Sequence, residues 1–329
     1  MALIRLAEVA GQERAKRLLL LAHSRGRTAH ALLFHGPAGV GKKMTARAFA
    51  AFLLCQAQEG GDSCGRCPSC RKLAADNHPD LLVVRPEGSQ IKIDQIRELK
   101  RTLAYASSEG GFRVVLLADI HQTMPRAEVA NSLLKTLEEP PADTVFILTA
   151  VEAAGILPTI VSRCQGIPFY PLSDELVRDR LLAGGLALDN LDKAGEIAAI
   201  SGGSLVRARE FAEGGLLASW GELLSELLAL SPGRPGAVER VLALAERIAG
   251  LKEELEAVFN LLQAWLMAAL LAGAAGREGG EEVRAAQRRW PPARLLAKLE
   301  LLRLAQRQLR CNCNRAFVCE VLLWGLVTD

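Results

Sequence analysis

Residues 36–43 read GPAGVGKK, a glycine-rich run that ends in two lysines. A short apolar run precedes it and an alanine-rich stretch follows it, as a strand, a loop and a helix would. In that context the glycines let backbone N–H groups converge on phosphate, and the helix N-terminus adds positive potential. The pattern predicts a P-loop in which Lys42 reaches the outer phosphates and three glycines shape the turn: Gly36, Gly39 and Gly41. The alternative is a glycine-rich turn that holds no ligand, and true nucleotide binding, by ATP or ADP, stays open.

The magnesium ligands of an active P-loop are missing. The lysine should be followed by a Ser or Thr, whose hydroxyl holds Mg²⁺, but Lys43 stands there and its charge repels the metal. A second ligand should be an Asp after a buried strand, but Ala118 follows the apolar run 114–117. Asp119 comes next, on the opposite face of an extended strand unless a bulge turns it back. Two lesions at one metal predict loss of hydrolysis.

Four cysteines follow the loop at the spacing Cys-x8-Cys-x2-Cys-x2-Cys: Cys55, Cys64, Cys67 and Cys70. Four thiolates at short spacing are typical of a closed tetrahedral zinc site. Because the protein fills all four positions, no open position remains for water, and the zinc is expected to be structural. Free or redox-active cysteines are the alternative.

The remaining cysteines have no metal-ligand spacing and are expected to be buried free thiols. They are Cys164, Cys311, Cys313 and Cys319. With no secretory signal in the first residues, we expect a cytoplasmic protein with reduced thiols. The net charge of +3 is too small to indicate nucleic acid or a membrane by itself. The apolar stretch 258–275 contains Asn260 and Gln263, which favours a buried or oligomer-facing helix over a membrane span.

The first half of the chain alternates short apolar runs with helical patterns. Runs at 31–34, 81–84, 114–117, 145–148 and 167–170 predict strands. Patterns at 12–23, 42–57, 93–106 and 126–137 predict the helices between them. Fully apolar strands between helices indicate a parallel sheet covered on both faces. After Pro171 the strand signal stops, so the fold class is α/β followed by an all-α part.

Several motifs together resemble the bacterial clamp-loader subunits of DNA polymerase III, members of the AAA+ class. They are VAGQ at 9–12, NSLLKTLEEPP at 131–141, LPTIVSRCQ at 157–165, and LRLAQRQLRCNCNRAF at 302–317, besides the P-loop and the four cysteines. The resemblance runs over nearly the whole chain. The family contains motor subunits with intact magnesium sites and a second type whose site is commonly eroded. Lys43 and Ala118 match the second type.

The resemblance implies a domain plan and a role for Arg163. An AAA+ core would span 1–170, with the zinc module inserted at about 55–70. A helical lid would span 171–214 and a helical collar for oligomerisation 215–329. Arg163 of the Ser-Arg-Cys motif would be an arginine finger, inserted into the ATP site of a neighbouring subunit, where it offsets the charge that spreads over the γ-phosphate. A surface salt bridge is the alternative for Arg163.

The resemblance also implies partners and a cellular site. The partners would be motor subunits of the gamma/tau type, the delta subunit, the sliding clamp and, through the complex, primed DNA, with no membrane. The chain would then act at the replication fork as a subunit of the polymerase holoenzyme that does not hydrolyse ATP itself. The competing function is an ATP-hydrolysing motor subunit or another AAA+ ATPase.

Overall fold

The computed structural model describes residues 3–151, 155–184, 191–213, 216–251, 254–275, 281–311 and 313–328. The chain forms two compact units, Met1–Leu172 and Ser173–Asp329. The first is α/β and the second is all-α, as the break in the strand signal after Pro171 predicts.

The first unit is built on a five-stranded parallel sheet. Its strands are β1 Ala31–His35, β2 Leu81–Val84, β3 Arg113–Leu117, β4 Thr144–Ala150 and β5 Gln165–Pro168. The spatial order is β2-β3-β4-β1-β5, and every pair is parallel. The predicted parallel sheet is therefore confirmed. The interior strands β1, β3 and β4 are buried along almost their whole length, and their middles are apolar, because helices cover both faces.

In the described residues of this unit, seven α-helices accompany the sheet. They are α1 Glu13–Ser24, α2 Lys42–Leu54, α3 Pro68–Ala74, α4 Ile93–Leu103, α5 Ile120–Thr123, α6 Ala127–Glu138 and α7 Pro158–Val161. Alternate residues of β1 enter two separate cores. Leu32 and Phe34 pack in the core that includes α1 and α2, and Ala31 and Leu33 pack in the core that includes α4 and α6.

Several element boundaries differ from the sequence prediction, and two of them have a clear physical reason. Helix α2 ends at Leu54 rather than near residue 57, because Cys55 takes an extended backbone conformation and turns into the cysteine cluster. Strand β5 begins at Gln165, two residues earlier than the apolar run suggests, because polar Gln165 and Gly166 continue the register with β1. A search for apolar runs does not detect a strand whose first residues are not apolar.

The second unit is helical throughout its described residues. Its helices are α8 Asp174–Ala183, α9 Leu191–Ser201, α10 Leu205–Glu213, α11 Leu216–Ala229, α12 Ala237–Ala249, α13 Leu255–Ala275, α14 Glu281–Arg289, α15 Pro292–Arg310 and α16 Arg315–Val327. Helices α8, α9 and α10 pack on one another, and α13 packs against α14 and α15. Helices α9 and α10 also contact α13. The lid and collar boundary at 214/215 remains a prediction and lies outside the described residues.

Among the described residues, one helix is long and apolar enough to cross a membrane by length and composition. This is α13, over the window Leu255–Gly273, of which 50% is buried inside its own unit. Its Trp265 is buried, and the indole N–H donates to the carbonyl of Glu282 at the start of α14. These contacts are those of a core helix.

Candidate functional site

The glycine-rich loop joins β1 to α2 and has the backbone that only glycine tolerates well. Gly36, Gly39 and Gly41 have φ of 147°, 76° and 99°. A Cβ on Gly36 would lie 2.2 Å from the carbonyl oxygen of Phe169, so this position also needs glycine for close packing. Gly41 is the residue before α2, and Thr45 N–H donates to its carbonyl to begin the helix.

Lys42 is folded back onto the loop that carries it. Its ammonium donates to the carbonyl oxygens of Gly36 at 2.6 Å and Pro37 at 2.5 Å. Burial lowers the pKa of Lys42 to about 8, against a smaller opposing effect of the Asp119 carboxylate. The predicted phosphate ligand thus lies in the loop, satisfied by backbone carbonyls.

Lys43 forms an ion pair with Asp119. Asp119 follows the end of β3 with φ of 51°, so strand alternation no longer decides where its side chain points. Its backbone N–H donates to Thr149 Oγ1 at 2.9 Å, and its Oδ1 lies 3.4 Å from the same hydroxyl, at the end of β4. Sequence reasoning treated Lys43 and Asp119 as separate departures, but the fold joins them in one corner.

These residues do not fit a magnesium ion. Mg²⁺ needs oxygen ligands in near-octahedral geometry. The Lys43 ammonium stands where a hydroxyl ligand is expected, and Ala118 stands where a carboxylate ligand is expected. The adjacent acid, Asp119, is already paired with the Lys43 cation. A divalent ion placed here would lie against a fixed positive charge.

Gln12 ties the loop to the end of β5. Its side-chain amide donates to the carbonyls of Val40 at 3.1 Å and Tyr170 at 2.7 Å, and its carbonyl accepts from the N–H of Tyr170 at 3.2 Å. This residue ends the VAGQ motif at 9–12. Through these hydrogen bonds, Gln12 fixes the glycine-rich loop to the segment that follows β5.

Arg163 lies at the other end of the sheet. It precedes β5, whose first residue, Gln165, pairs with Leu32 of β1. The P-loop starts four residues beyond Leu32, or about 13 Å along the strands. The guanidinium donates to Glu138 Oε1 through Nε at 2.6 Å and also through Nη2, and Nη1 donates to the carbonyl of Thr159 at 2.9 Å. Arg163 is therefore directed away from the P-loop of its own chain.

The four predicted cysteines come together. All their sulfurs lie within 4.8 Å of one another, and two pairs, Cys55 with Cys67 and Cys64 with Cys70, are 4.0 Å apart. Sulfurs at about 2.3 Å from one tetrahedral ion are about 3.8 Å apart. The cluster therefore fits a single metal ion.

Backbone N–H groups point at these sulfurs. Cys64, Cys67 and Cys70 donate to the sulfurs of Cys55, Cys64 and Cys67 at 3.3, 3.3 and 3.4 Å. Backbone N–H groups lower the pKa of Cys64 to about 6, while burial raises the pKa of Cys70. N–H donors of this kind stabilise thiolates, the form that binds metal.

Two buried polar residues connect the cluster to the rest of the unit. Asp62 accepts from the N–H groups of Leu6 at 3.0 Å and Ala7 at 2.9 Å, near the start of the chain. Ser69 Oγ donates to the carbonyl of Leu54 at 2.6 Å and lies 2.9 Å from His78 Nε2. Because the partners are distant in sequence, only the fold could reveal these contacts.

The expectation for the other cysteines is wrong for two of them. Cys319 is buried in α16 and Cys164 is partly buried, and burial raises the pKa of each to about 11. Cys311 and Cys313 are exposed. They lie in the connection between α15 and α16.

The parallel sheet, in which the P-loop follows β1 beside the central strand β4, defines an AAA+-type P-loop core. Residues 11–173 match the family model described as "DNA polymerase III, delta subunit". This segment belongs to the delta-prime family of clamp-loader subunits of DNA polymerase III, which replicates DNA.

The chain spans about half the length of the delta' relatives that it matches and about a quarter of the tau subunits. It is 40% identical over 189 residues to DNA polymerase III subunit delta' of Pseudomonas aeruginosa, covering 56% of each. It is 36% identical over 175 residues to subunit tau of Escherichia coli, covering 53% of this chain and 27% of that one. Among solved structures, a gamma subunit-related protein of Thermotoga maritima is 19% identical, with a TM-score of 0.40, over 94% of this chain and 98% of that one.

Proposed function

We propose that the chain is a non-hydrolysing subunit of the replicative clamp loader, the complex that places the sliding clamp on primed DNA. The observation that carries this proposal is the Lys43–Asp119 ion pair. Hydrolysis at a P-loop needs a metal ion that bridges the phosphate oxygens. A lysine ammonium against the nearest carboxylate leaves no ligand set for that ion.

Arg163 would serve a neighbouring motor subunit of the gamma/tau type. Arg163 lies at the end of the sheet where β1 and β5 begin, opposite the P-loop. This position supports action in trans, because a finger for the chain's own site would have to lie at the end that carries the P-loop. Its side chain is partly exposed, at 32% of its full area, and Glu138 holds the guanidinium in a defined direction. A guanidinium so placed can stabilise charge on a transferring γ-phosphoryl group.

The second candidate is an ATP-hydrolysing motor subunit. The identity with subunit tau over 175 residues supports this candidate, since the sequence match reaches both subunit types. The residues at the expected magnesium site argue against this candidate. Lys43 and Ala118 stand in place of two magnesium ligands, so a motor subunit with these residues would need other ligands to bind magnesium.

The cysteine cluster would hold one structural Zn²⁺. Four sulfurs at tetrahedral spacing suit zinc, and the closed set leaves no position for a reacting water. The ion would close the loop between α2 and α3. It would stabilise this insertion and take no part in phosphate chemistry.

The second unit would supply the remaining parts of a clamp-loader subunit. Helices α8 to α10, within 171–214, would form the lid, and 215–329 would form the collar that meets the delta and gamma/tau subunits. The sliding clamp and DNA would be met through the assembled complex, in the cytoplasm. The apolar side chains exposed on α16 include Phe317, Val321 and Trp324, which support a collar contact.

Steady-state ATPase measurements test the proposal. The purified chain alone should hydrolyse no ATP above background. Mixed with the motor and delta subunits, clamp and primed DNA, it should support hydrolysis that falls by about 10³-fold with Arg163→Ala. The assembly of that variant, followed by size-exclusion chromatography, should be unchanged.

Arg97→Ala is a matched control, since Arg97 forms an exposed ion pair on α4 with Asp94. It should leave the ATPase of the complex within about twofold. Magnesium-dependent hydrolysis by the chain alone would overturn the proposal and favour the motor subunit. Full ATPase activity of the complex with Arg163→Ala would contradict the arginine-finger role of Arg163.

A further inference from the structure

The four cysteines of the cluster come from two separate segments of the chain. Cys64, Cys67 and Cys70 lie in one short segment, where backbone N–H groups of one cysteine donate to the sulfur of another. Cys55 directly follows α2 and is nine positions away from Cys64. Bringing a distant ligand to the others costs chain entropy unless the two segments are already held together. The position of Cys55 therefore depends on contacts between the end of α2 and α3.

A buried hydroxyl joins these two segments. Ser69 lies in α3 beside Cys70 and is fully buried. Its Oγ donates to the carbonyl oxygen of Leu54, the residue before Cys55, at 2.6 Å. Cys55 and Cys70 are the two buried ligands of the cluster. The Ser69 hydroxyl therefore fixes the chain beside one buried ligand to the chain beside the other.

The His78 imidazole fixes the direction of this hydroxyl. Its Nδ1 accepts from the N–H of Asp80 at 3.1 Å, so the ring proton lies on Nε2. Nε2 lies 2.9 Å from Ser69 Oγ and donates to it, because the hydroxyl hydrogen is already donated to Leu54. Burial lowers the pKa of His78, against the opposing effects of Glu109 and Asp80, and favours this neutral form of the ring.

His78 is itself anchored to the sheet. Its carbonyl accepts from the N–H of Leu81, the first residue of β2, at 3.2 Å. Glu109 Oε2 lies 3.5 Å from His78 Nε2, and the same carboxylate forms an ion pair with Lys72 of α3. His78 is 6% exposed, so its contacts are shielded from water. Buried polar contacts thus connect the cysteine cluster to the start of β2.

We propose that Ser69 and His78 are positioning residues for the metal centre, which hold Cys55 beside the other three sulfurs before an ion binds. The inference rests on the proposed zinc site and adds to its four ligands two residues that do not ligate the metal. His78 orients the Ser69 hydroxyl, and that hydroxyl sets the separation of α2 from α3. Such outer contacts raise metal affinity, because less chain entropy is lost when the ion binds.

The test measures the Zn²⁺ affinity of the full chain by competition with a chromogenic chelator, and the Tm of each variant. Ser69→Ala removes the hydroxyl. His78→Asn keeps an acceptor for the N–H of Asp80 but removes the donor to Ser69. His78→Gln places an amide nitrogen near the position of Nε2 and restores that donor. Circular dichroism confirms that each variant is folded.

Ser201→Ala is the matched control. Ser201 is also fully buried, and its Oγ donates to the carbonyl oxygen of Ala198 at 2.7 Å, in the second unit. The same atoms are removed from an equally buried hydrogen bond, away from the cysteines. This variant should lower the Tm and leave the Zn²⁺ affinity unchanged, as expected of a residue that only stabilises its unit.

We expect Ser69→Ala and His78→Asn to bind Zn²⁺ about 10- to 100-fold more weakly than the natural chain, and His78→Gln to stay within about fivefold of it. Equal affinity of the natural chain, Ser69→Ala and His78→Asn would overturn the inference. So would a His78→Gln variant as weak as His78→Asn, or an equal loss of affinity in Ser201→Ala.

These failures are distinct from failure of the proposed zinc site. A chain that binds Zn²⁺ equally well in every variant loses only the positioning role of Ser69 and His78. A natural chain that binds no Zn²⁺ loses both the metal site and the positioning residues.

Discussion

The guanidinium of Arg163 is held by the carboxylate of Glu138, two residues that are 25 positions apart in the chain. Arg163 follows α7 and Glu138 ends α6, so the pair connects these two helices at the end of the sheet opposite the P-loop. Arg163 belongs to the Ser-Arg-Cys motif and Glu138 to the LLKTLEEPP motif. Through this contact, the LLKTLEEPP motif orients the Arg163 guanidinium.

Glu138→Gln is expected to lower the ATPase of the assembled complex by about three- to tenfold. A neutral amide holds the guanidinium less firmly, so in the proposed role Arg163 would reach the neighbouring ATP site in the productive rotamer less often. Arg163→Ala should cost far more, because it removes the charge itself. The matched control is Glu139→Gln, an exposed neighbour at the end of the same helix, which should leave the rate unchanged. Equal losses for Glu138→Gln and Arg163→Ala would mean that Glu138 acts on the phosphate site directly.

Metal analysis of the purified chain should find one zinc ion per molecule. Cys70→Ser should lose it, and chelation should lower the Tm by roughly 5 °C, because the loop 55–70 has little core of its own. Cobalt substitution should give the absorption of a tetrahedral thiolate site. Cys319→Ser is the control, since that buried thiol lies outside the cluster. Retention of zinc by Cys70→Ser would contradict the four-sulfur site.

Asp62→Asn should reduce the free energy of unfolding by about 1–3 kcal/mol. Asp62 is 6% exposed, and its two oxygens accept from the N–H groups of Leu6 and Ala7. An amide keeps only one acceptor oxygen, so one buried N–H loses its partner. Urea denaturation measures the loss, and hydrogen exchange at Leu6 and Ala7 should quicken.

Asp76→Asn is the control for that experiment. Asp76 forms exposed ion pairs and has φ of 55°, which asparagine tolerates. Its cost should stay below about 0.5 kcal/mol. An Asp62→Asn variant as stable as Asp76→Asn would show that Asp62 does not hold the start of the chain.

The contribution of Lys42 to stability should rise with pH. Burial lowers its folded pKa to about 8 from 10.5, so between those values the unfolded chain binds more protons than the folded chain. The free energy of unfolding therefore increases as pH rises through this window. The difference between the natural chain and Lys42→Met, measured in urea from pH 7.5 to 10.5, should grow in favour of the natural chain. Lys100→Met should show no such trend, and a flat difference for Lys42→Met would contradict the effect of burial.

The sequence by itself determined the elements whose information is local. The P-loop turn depends on glycines within six positions, and the cysteine cluster on spacings of two and eight residues. The strands of the sheet were visible because burial on both faces demands continuous apolar runs. The end of α2 and the start of β5 were missed, since an extended cysteine and a polar strand residue leave no periodic signal.

Only the tertiary structure decided which charges meet. Asp119 reaches Lys43 because β3 lies beside β4, and β4 beside β1, which leads into α2. Arg163 meets Glu138, and Asp62 meets the start of the chain, because the sheet order and the cysteine loop bring distant segments together. Side-chain pairing across elements depends on register and on backbone angles such as the positive φ of Asp119, and no local pattern encodes those. The sequence therefore indicates a P-loop without its metal ligands, while the fold shows that a lysine and an acid pair where those ligands would be.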